Sequence, residues 1–276
     1  MTTGHPNLTT KVISVTSGKG GVGKTAVVSN IGICLARAGS KVLILDADLG
    51  LANIDVVFGL TPAYNLNHFF SGEADLESIM VKGPYDIHIL PAGSGLQSFI
   101  QLESDQKLKL LDGLDSLKIN FDYLLIDTEA GISENVTYFN TAAQEIILVT
   151  TPDPTAITDV YALMKLLSTR YHEKHFNLVV NLVAHEDEAL DVYRKLSIVS
   201  NRYLDFSIDY LGSIPTDQQM TEAIRKQQAI VELFPNSSSA ASFNALAERL
   251  AIMVTRRYPK GSVQFFWKQL VQTDVS

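Results

Sequence analysis

The run Gly18-Lys19-Gly20-Gly21-Val22-Gly23-Lys24-Thr25 fits G-x-x-x-x-G-K-[ST], a spacing that wraps peptide backbone around phosphate. Its glycines let main-chain N–H groups close on phosphate oxygens. The helical pattern that follows, containing Ile31, Leu35 and Ala38, adds about half a positive charge at its start, and Ala26 joins the loop residues as a candidate nucleotide contact. Lys24 is placed to pair with terminal phosphates, and the Thr25 hydroxyl to ligate Mg²⁺. Asp46-Ala47-Asp48 follows an apolar run, and two acids one residue apart suit two roles, holding a metal's water shell and orienting a water for attack on a terminal phosphate. Leu124-Leu125-Ile126-Asp127 is a buried-strand pattern ending in an acid, which places a carboxylate near Mg²⁺ through water. Asn181 ends another apolar run, with an amide that offers donor and acceptor to an adenine edge.

These residues need a scaffold that brings distant loops together. Apolar, β-branched runs recur at Val12–Thr16, Val42–Leu45, Ile87–Leu90, Tyr123–Ile126, Ile146–Thr150, Leu178–Val183 and Tyr210–Ile214, mostly separated by helix-length segments. The alternation predicts an α/β fold: a doubly wound, mostly parallel sheet with helices on both faces. Ligands of such sheets bind at the carboxyl ends of the strands, where the candidate residues fall. With 276 residues, 46% of them hydrophobic, one core suffices, and the chain reads as a nucleotide-binding domain over 1–258 and a short segment over 259–276.

A formal charge of −8 supplies no general field toward DNA or anionic lipid, so no direct nucleic-acid contact is expected. The single cysteine, Cys34, lies in the first helix pattern, which suits core packing in a cytoplasmic protein. Met1–Thr10 is too short and polar for a secretory leader, and no apolar stretch reaches membrane-spanning length. Ser237-Ser238-Ser239 reads as a turn or as a cap for a helix over 240–255, ended by Tyr258-Pro259-Lys260-Gly261. Val263, Phe266, Trp267, Leu270 and Val271, after a Ser262 cap, form a helical apolar stripe near Arg256, Arg257 and Lys260. The stripe over 262–271 suits a membrane interface or a protein groove equally. His172 and His175 have no third ligand at metal-site spacing.

Lys19 is the sharper clue, because a phosphate loop already served by Lys24 gains little from a second lysine of the same subunit. The motif resembles the deviant Walker A sequence K-G-G-x-G-K-[ST] of the MinD/ParA family of P-loop ATPases. The resemblance implies a MinD-like fold, ATP and ADP as ligands with Mg²⁺, and a homodimer formed with ATP. In that dimer Lys19 reaches the nucleotide of the other copy, neutralising charge on the transferring phosphoryl group as an arginine finger does. Val42–Asp55 resembles the family's first switch, with Asp48 matching the residue that positions the attacking water, and Asp46 lies beside it. Ile126–Gly131 resembles the second switch, with Asp127 near the metal. There Glu129 replaces the usual proline or alanine and sets a carboxylate beside the terminal phosphate.

Pro154–Leu163 (P-T-A-I-T-D-V-Y-A-L) and the segments Ile214-Pro215-Thr216-Asp217, Ala223–Gln227 and Phe234–Ser237 resemble the flagellar-number regulators of the FlhG (FleN) branch. Pro215 and Asp217 then belong to the adenine-binding loop beside Asn181. This branch implies control of flagellar number by restraint of a master transcription activator of the FleQ/FlrA type, at a cytoplasmic or peripheral inner-membrane location. The GTPase FlhF is a further implied partner, although the D-Q-A-x-x-L-R motif by which some members stimulate it is not found ahead of the first strand. Two other readings remain: an adaptor silenced by Glu129 that binds ATP without splitting it, and a MinD-type division-site regulator. A nitrogenase-type reductase, which shares the loop, needs two cysteines per subunit for its cluster. ParA-type partition proteins need a basic surface.

Overall fold

The computed structural model describes residues 10–93, 101–203, 206–253 and 263–266. Its strands are β1 (Lys11–Ser17), β2 (Val42–Ala47), β3 (Val81–Lys82), β4 (His88–Leu90), β5 (Tyr123–Ala130), β6 (Glu145–Thr150), β7 (His175–Val183) and β8 (Ser207–Pro215). They form one eight-stranded sheet in the order β3-β4-β2-β5-β1-β6-β7-β8. All neighbours are parallel except β3 and β4. The helices are α1 (Lys24–Arg37), α2 (Ile54–Val57), α3 (Leu66–Ser71), α4 (Leu76–Ile79), α5 (Ser104–Asp115) and α6 (Glu134–Ala142), followed by α7 (Pro154–Tyr171), α8 (Glu186–Tyr203), α9 (Gln218–Arg225), α10 (Ile230–Leu233) and α11 (Ser238–Ile252).

The seven expected strands are present, and their unbroken apolar runs have a direct cause. Ile13, Val15 and Ile44 face a core built with α1 and α11, whereas Val12, Leu43 and Leu45 face a second core under α3, α5 and α6. A third core, around Val160, Leu163 and Leu167 of α7, closes the β6–β8 side. Strands covered on both faces show no apolar–polar alternation. Cys34 is buried in the first core, which pushes its thiol up to about 11. The antiparallel edge strand β3 was not foreseen, because two residues are too short to show a period.

α11 is capped as expected, with Ser237 accepting from the Ala240 amide at 3.1 Å. It ends at Ile252 rather than 255, where buried Lys11 of β1 donates through Nζ to the carbonyls of Leu250 and Met253, both at 2.7 Å. That ammonium satisfies end-of-helix carbonyls and complements the helix dipole. No described helix is long and apolar enough to cross a membrane.

The expected amphipathic helix does not begin at Val263. Val263 and Gln264 belong to no regular element and the chain turns at Phe265–Phe266, with Phe266 at φ +55°, rather than forming a helix, and Phe265, off the anticipated stripe, is fully buried. The Phe265 amide donates to the Ala142 carbonyl at the end of α6 (3.1 Å), and its ring lies 5.7 Å from Tyr138 and 6.2 Å from Phe139. Aromatic packing on α6 therefore decides the path here, overriding the helical period. Ser262, Trp267, Leu270, Val271, Arg256, Arg257 and Lys260 lie outside the described residues.

Candidate functional site

The phosphate loop joins the end of β1 to α1, in the middle of the sheet. Gly23 adopts φ +93° as the N-cap of α1, a conformation that side chains resist, and no side chain caps the helix start. With no acid in the first turn, the amide donors of α1 point into the loop, ready for an anion. A Cβ at Gly20 or Gly21 would meet nothing within 4 Å, so the rim is open to a ligand. Gly18 is different: its Cβ would lie 2.2 Å from the Asp159 carbonyl carbon, so α7 packs directly on the first loop glycine. Val22 anchors the loop in the core, Lys24 is buried, and Thr25 and Ala26 are half-buried at the first turn of α1.

Two strand ends, β2 and β5, deliver the carboxylates, with β1 between β5 and β6 beside them. β2 and β5 pair Asp46 with Asp127, and β1 pairs Val15 with Asp127. Asp127 is 2% exposed and its Oδ1 has no hydrogen-bond partner. Burial pushes its carboxyl up to about 7, against the opposing pull of the Thr25 hydroxyl bonded to it and of the Lys24 ammonium. An orphaned buried carboxylate oxygen next to a threonine hydroxyl is the donor set a magnesium ion and its waters complete, so the residues fit that metal. Burial likewise lowers Lys24, while Asp127, Asp48 and Glu129, in that order, pull it back up. One ammonium thus stands in the field of three carboxylates.

Asp46 departs from the expectation of a metal ligand. Its two oxygens accept from the amides of Asp48 (3.1 Å), Asn53 (3.0 Å) and Ile54 (3.1 Å), tying the loop 48–53 and the start of α2 to β2. Burial first, then the nearby Asp127 charge, raise its carboxyl well above the usual range despite those bonds. It anchors the loop that carries Asp48. Asp48 is half-buried, its Oδ1 accepts from the Leu51 amide at 3.0 Å, and its charge acts on Lys24.

Asn181 also differs from expectation. Its Nδ2 donates to the Val22 carbonyl (2.8 Å) and its Oδ1 accepts from the Leu182 amide (2.9 Å), so the amide braces the phosphate loop. Gly23 is glycine partly for this reason, since a Cβ there would lie 2.4 Å from Asn181 Nδ2. Pro215 ends β8 opposite Val183, and its carbonyl accepts from Ser239. Asp217 is the N-cap of α9, accepting from the Gln219 amide (2.9 Å) and, through its other oxygen, from Ser238 and Ser239 of α11. Both carboxylate oxygens are thus engaged in fixing this loop rather than presented to a base.

Lys19 is turned away from Lys24 and half-exposed. Its Nζ donates to the Thr155 hydroxyl and lies 3.6 Å from Asp153 Oδ1, at the N-terminus of α7. Asp153 itself caps α7 by accepting from the Thr155 (2.7 Å) and Ala156 (3.2 Å) amides. The Thr155 hydroxyl, which donates to the same carboxylate, acts first, then the Ala156 and Thr155 amides and, to a smaller degree, the Lys19 charge, and together they hold its carboxyl down at about 2. Asp153 and Thr155 were missed as site residues, though Asp153-Pro154 is a recognisable helix start whose carboxylate falls just past a strand. Among the described residues no cluster of histidine, cysteine and carboxylate offers a further metal site, and His172 serves as the C-cap of α7.

Residues 10–180 match the sequence model of the AAA domain family. The chain is 41% identical over 268 residues to the antiactivator FleN of Pseudomonas aeruginosa, covering 97% of this chain and 95% of that protein. It is 32% identical to the flagellum site-determining protein YlxH of Helicobacter pylori, covering 95% and 90%. Among solved structures, the septum site-determining protein MinD complexed with Mg-ADP from Pyrococcus horikoshii superposes with a TM-score of 0.74 at 28% identity, covering 88% of this chain and 96% of that one.

Proposed function

We propose, from the premise that this chain belongs to the AAA domain family and within it to the MinD/ParA-type ATPases, that it is an ATP-driven dimerising switch restraining a flagellar transcription activator. The chain is a Mg²⁺-dependent ATPase and a relative of flagellar-number regulators. The likeness to an antiactivator over nearly its whole length supports the restraint of an activator of the FleQ/FlrA type. In this reading the amides of Gly18–Ala26 and Lys24 hold the phosphates, and Thr25 and Asp127 hold magnesium. Held there, magnesium would supply charge neutralisation to the phosphates. Asp48 orients the attacking water from a loop that Asp46 anchors. Asn181, Pro215 and Asp217 frame the adenine end indirectly, by fixing the phosphate loop and the start of α9.

One observation carries the dimer. Lys24 already fills the phosphate-binding role within the subunit, while Lys19 rests on α7 in an exposed, weak pair it can leave for the nucleotide of a second copy. The test is sedimentation velocity with ADP and with ATP, alongside phosphate release by the wild type and Lys19→Ala. Dimers with ATP alone and turnover lost in the variant support the switch. No turnover in either protein supports the silent adaptor that Glu129 favours as a second reading.

A further inference from the structure

We infer that Glu129 is a specificity-determining carboxylate that biases the phosphate loop against the triphosphate and toward the diphosphate. The inference rests on the nucleotide-switch reading and adds a control to the same pocket.

The backbone at Glu129 is held rigidly against the phosphate loop. The Thr128 hydroxyl donates to the Val15 carbonyl (3.1 Å), Ala130 is in register with Ser17, and the Gly131 amide, at φ +101°, donates to the Ser17 carbonyl at 2.9 Å. The half-buried side chain is held too. Its Oε1 accepts from the Ser133 hydroxyl, which in turn accepts from the Val136 amide (3.2 Å) as the N-cap of α6. The carboxylate is therefore clipped to the first turn of a helix and does not swing freely into solvent.

Its charge reaches Asp48 and Lys24, the two groups between which the terminal phosphate lies in the proposed reading. Lys24 lies in the field of Asp127, Asp48 and Glu129; magnesium held at Asp127 in the proposed reading offsets that carboxylate, which leaves Asp48 and Glu129 as the negative groups a terminal phosphate meets. In that reading a diphosphate needs only the loop amides and Lys24. A terminal phosphate must add its charge beside Asp48 and Glu129, and a carboxylate pinned by Ser133 repels it.

The test is calorimetric titration of full-length protein with Mg-ADP and with the slowly hydrolysed analogue Mg-AMPPNP. Glu129→Gln keeps the acceptor for Ser133 and removes the charge. It is expected to tighten AMPPNP about fivefold (~1 kcal/mol), the size of a partly solvated charge pair, while ADP moves less than about twofold. Glu129→Ala should shift the ratio in the same direction, and added salt should narrow the gap to wild type. Ser133→Ala keeps the charge but releases the carboxylate, so it should move the ratio in the same direction by less than Glu129→Gln does. An unchanged AMPPNP-to-ADP ratio in both Glu129 variants, or a Ser133→Ala shift as large as theirs, overturns the inference. Failure of the wild type to bind either nucleotide would instead overturn the reading on which it rests.

Discussion

Replacing Asp127 with asparagine removes a buried charge while keeping the shape of the strand end. In the folded protein the carboxyl titrates at about 7, raised chiefly by burial, whereas an unfolded aspartate titrates near ~3.9. Between those values the native state holds a proton that the unfolded chain has released. The stability this proton contributes is therefore complete below about pH 4, falls as pH rises through the window, and is gone above about pH 7. A separation of about three units sets the loss at on the order of 2–4 kcal/mol, allowing for relaxation around the charge. For a domain of this size that is roughly 5–10 °C in melting temperature. Calorimetric melting of metal- and nucleotide-free protein should find Asp127→Asn more stable than wild type by about that amount at pH 8, with the gap closing toward pH 5. Adding Mg-ATP should raise the wild-type melting temperature and leave the variant nearly unmoved. Parallel curves, with the same gap at both pH values, would refute the claim that Asp127 carries an uncompensated charge awaiting a cation.

Three further outcomes follow from the site geometry. Asp153→Asn keeps an N-cap for α7 but drops the pair that holds Lys19, so ATP-dependent self-association measured by sedimentation equilibrium should tighten by up to about fivefold, with melting unchanged. Weaker association would place Asp153 across the interface instead. Gly18→Ala drives a Cβ into the backbone of Asp159 and should cost about 1–3 kcal/mol or more in urea unfolding, whereas Gly20→Ala, with open space around it, should unfold as wild type. Asp46→Ala leaves three amides of the loop 48–54 without their acceptor and should destabilise by about 2–4 kcal/mol, with fast hydrogen exchange confined to that loop at low denaturant. Protected exchange there would show that other contacts hold the loop.

What the sequence made legible was whatever depends on local spacing. The glycines and lysines at 18–24 name the phosphate loop because backbone approach and helix start are fixed within eight residues. The apolar runs name seven strands because both faces are covered. Partnerships across the fold were not legible. Asn181 points at Val22, 159 residues away, and that orientation depends on how β7 packs beside the loop. Asp46 and Asp48 look interchangeable in sequence, yet Asp46 sits at the buried end of β2 and accepts from three amides, while Asp48 lies past the end of the strand, in the segment those amides belong to. Lys19 was recognisable as a spare lysine, but its resting place on Asp153 and Thr155 needed the β6–α7 junction. The segment at 263–266 was misread because a helical stripe was allowed to outweigh Phe265, whose ring has a ready pocket on α6.

The claim that a lysine from one copy completes the pocket of another is met most directly by mixing two inactive variants. Lys19→Ala has an intact pocket but no lysine to lend; Asp48→Asn lends Lys19 but cannot orient water. Each alone should release almost no phosphate from ATP, and an equimolar mixture should recover about a quarter of the wild-type rate, since half of the dimers are mixed and each of those has one complete pocket. A mixture as silent as its components, or Lys19→Ala turning over ATP unaided, would contradict the account.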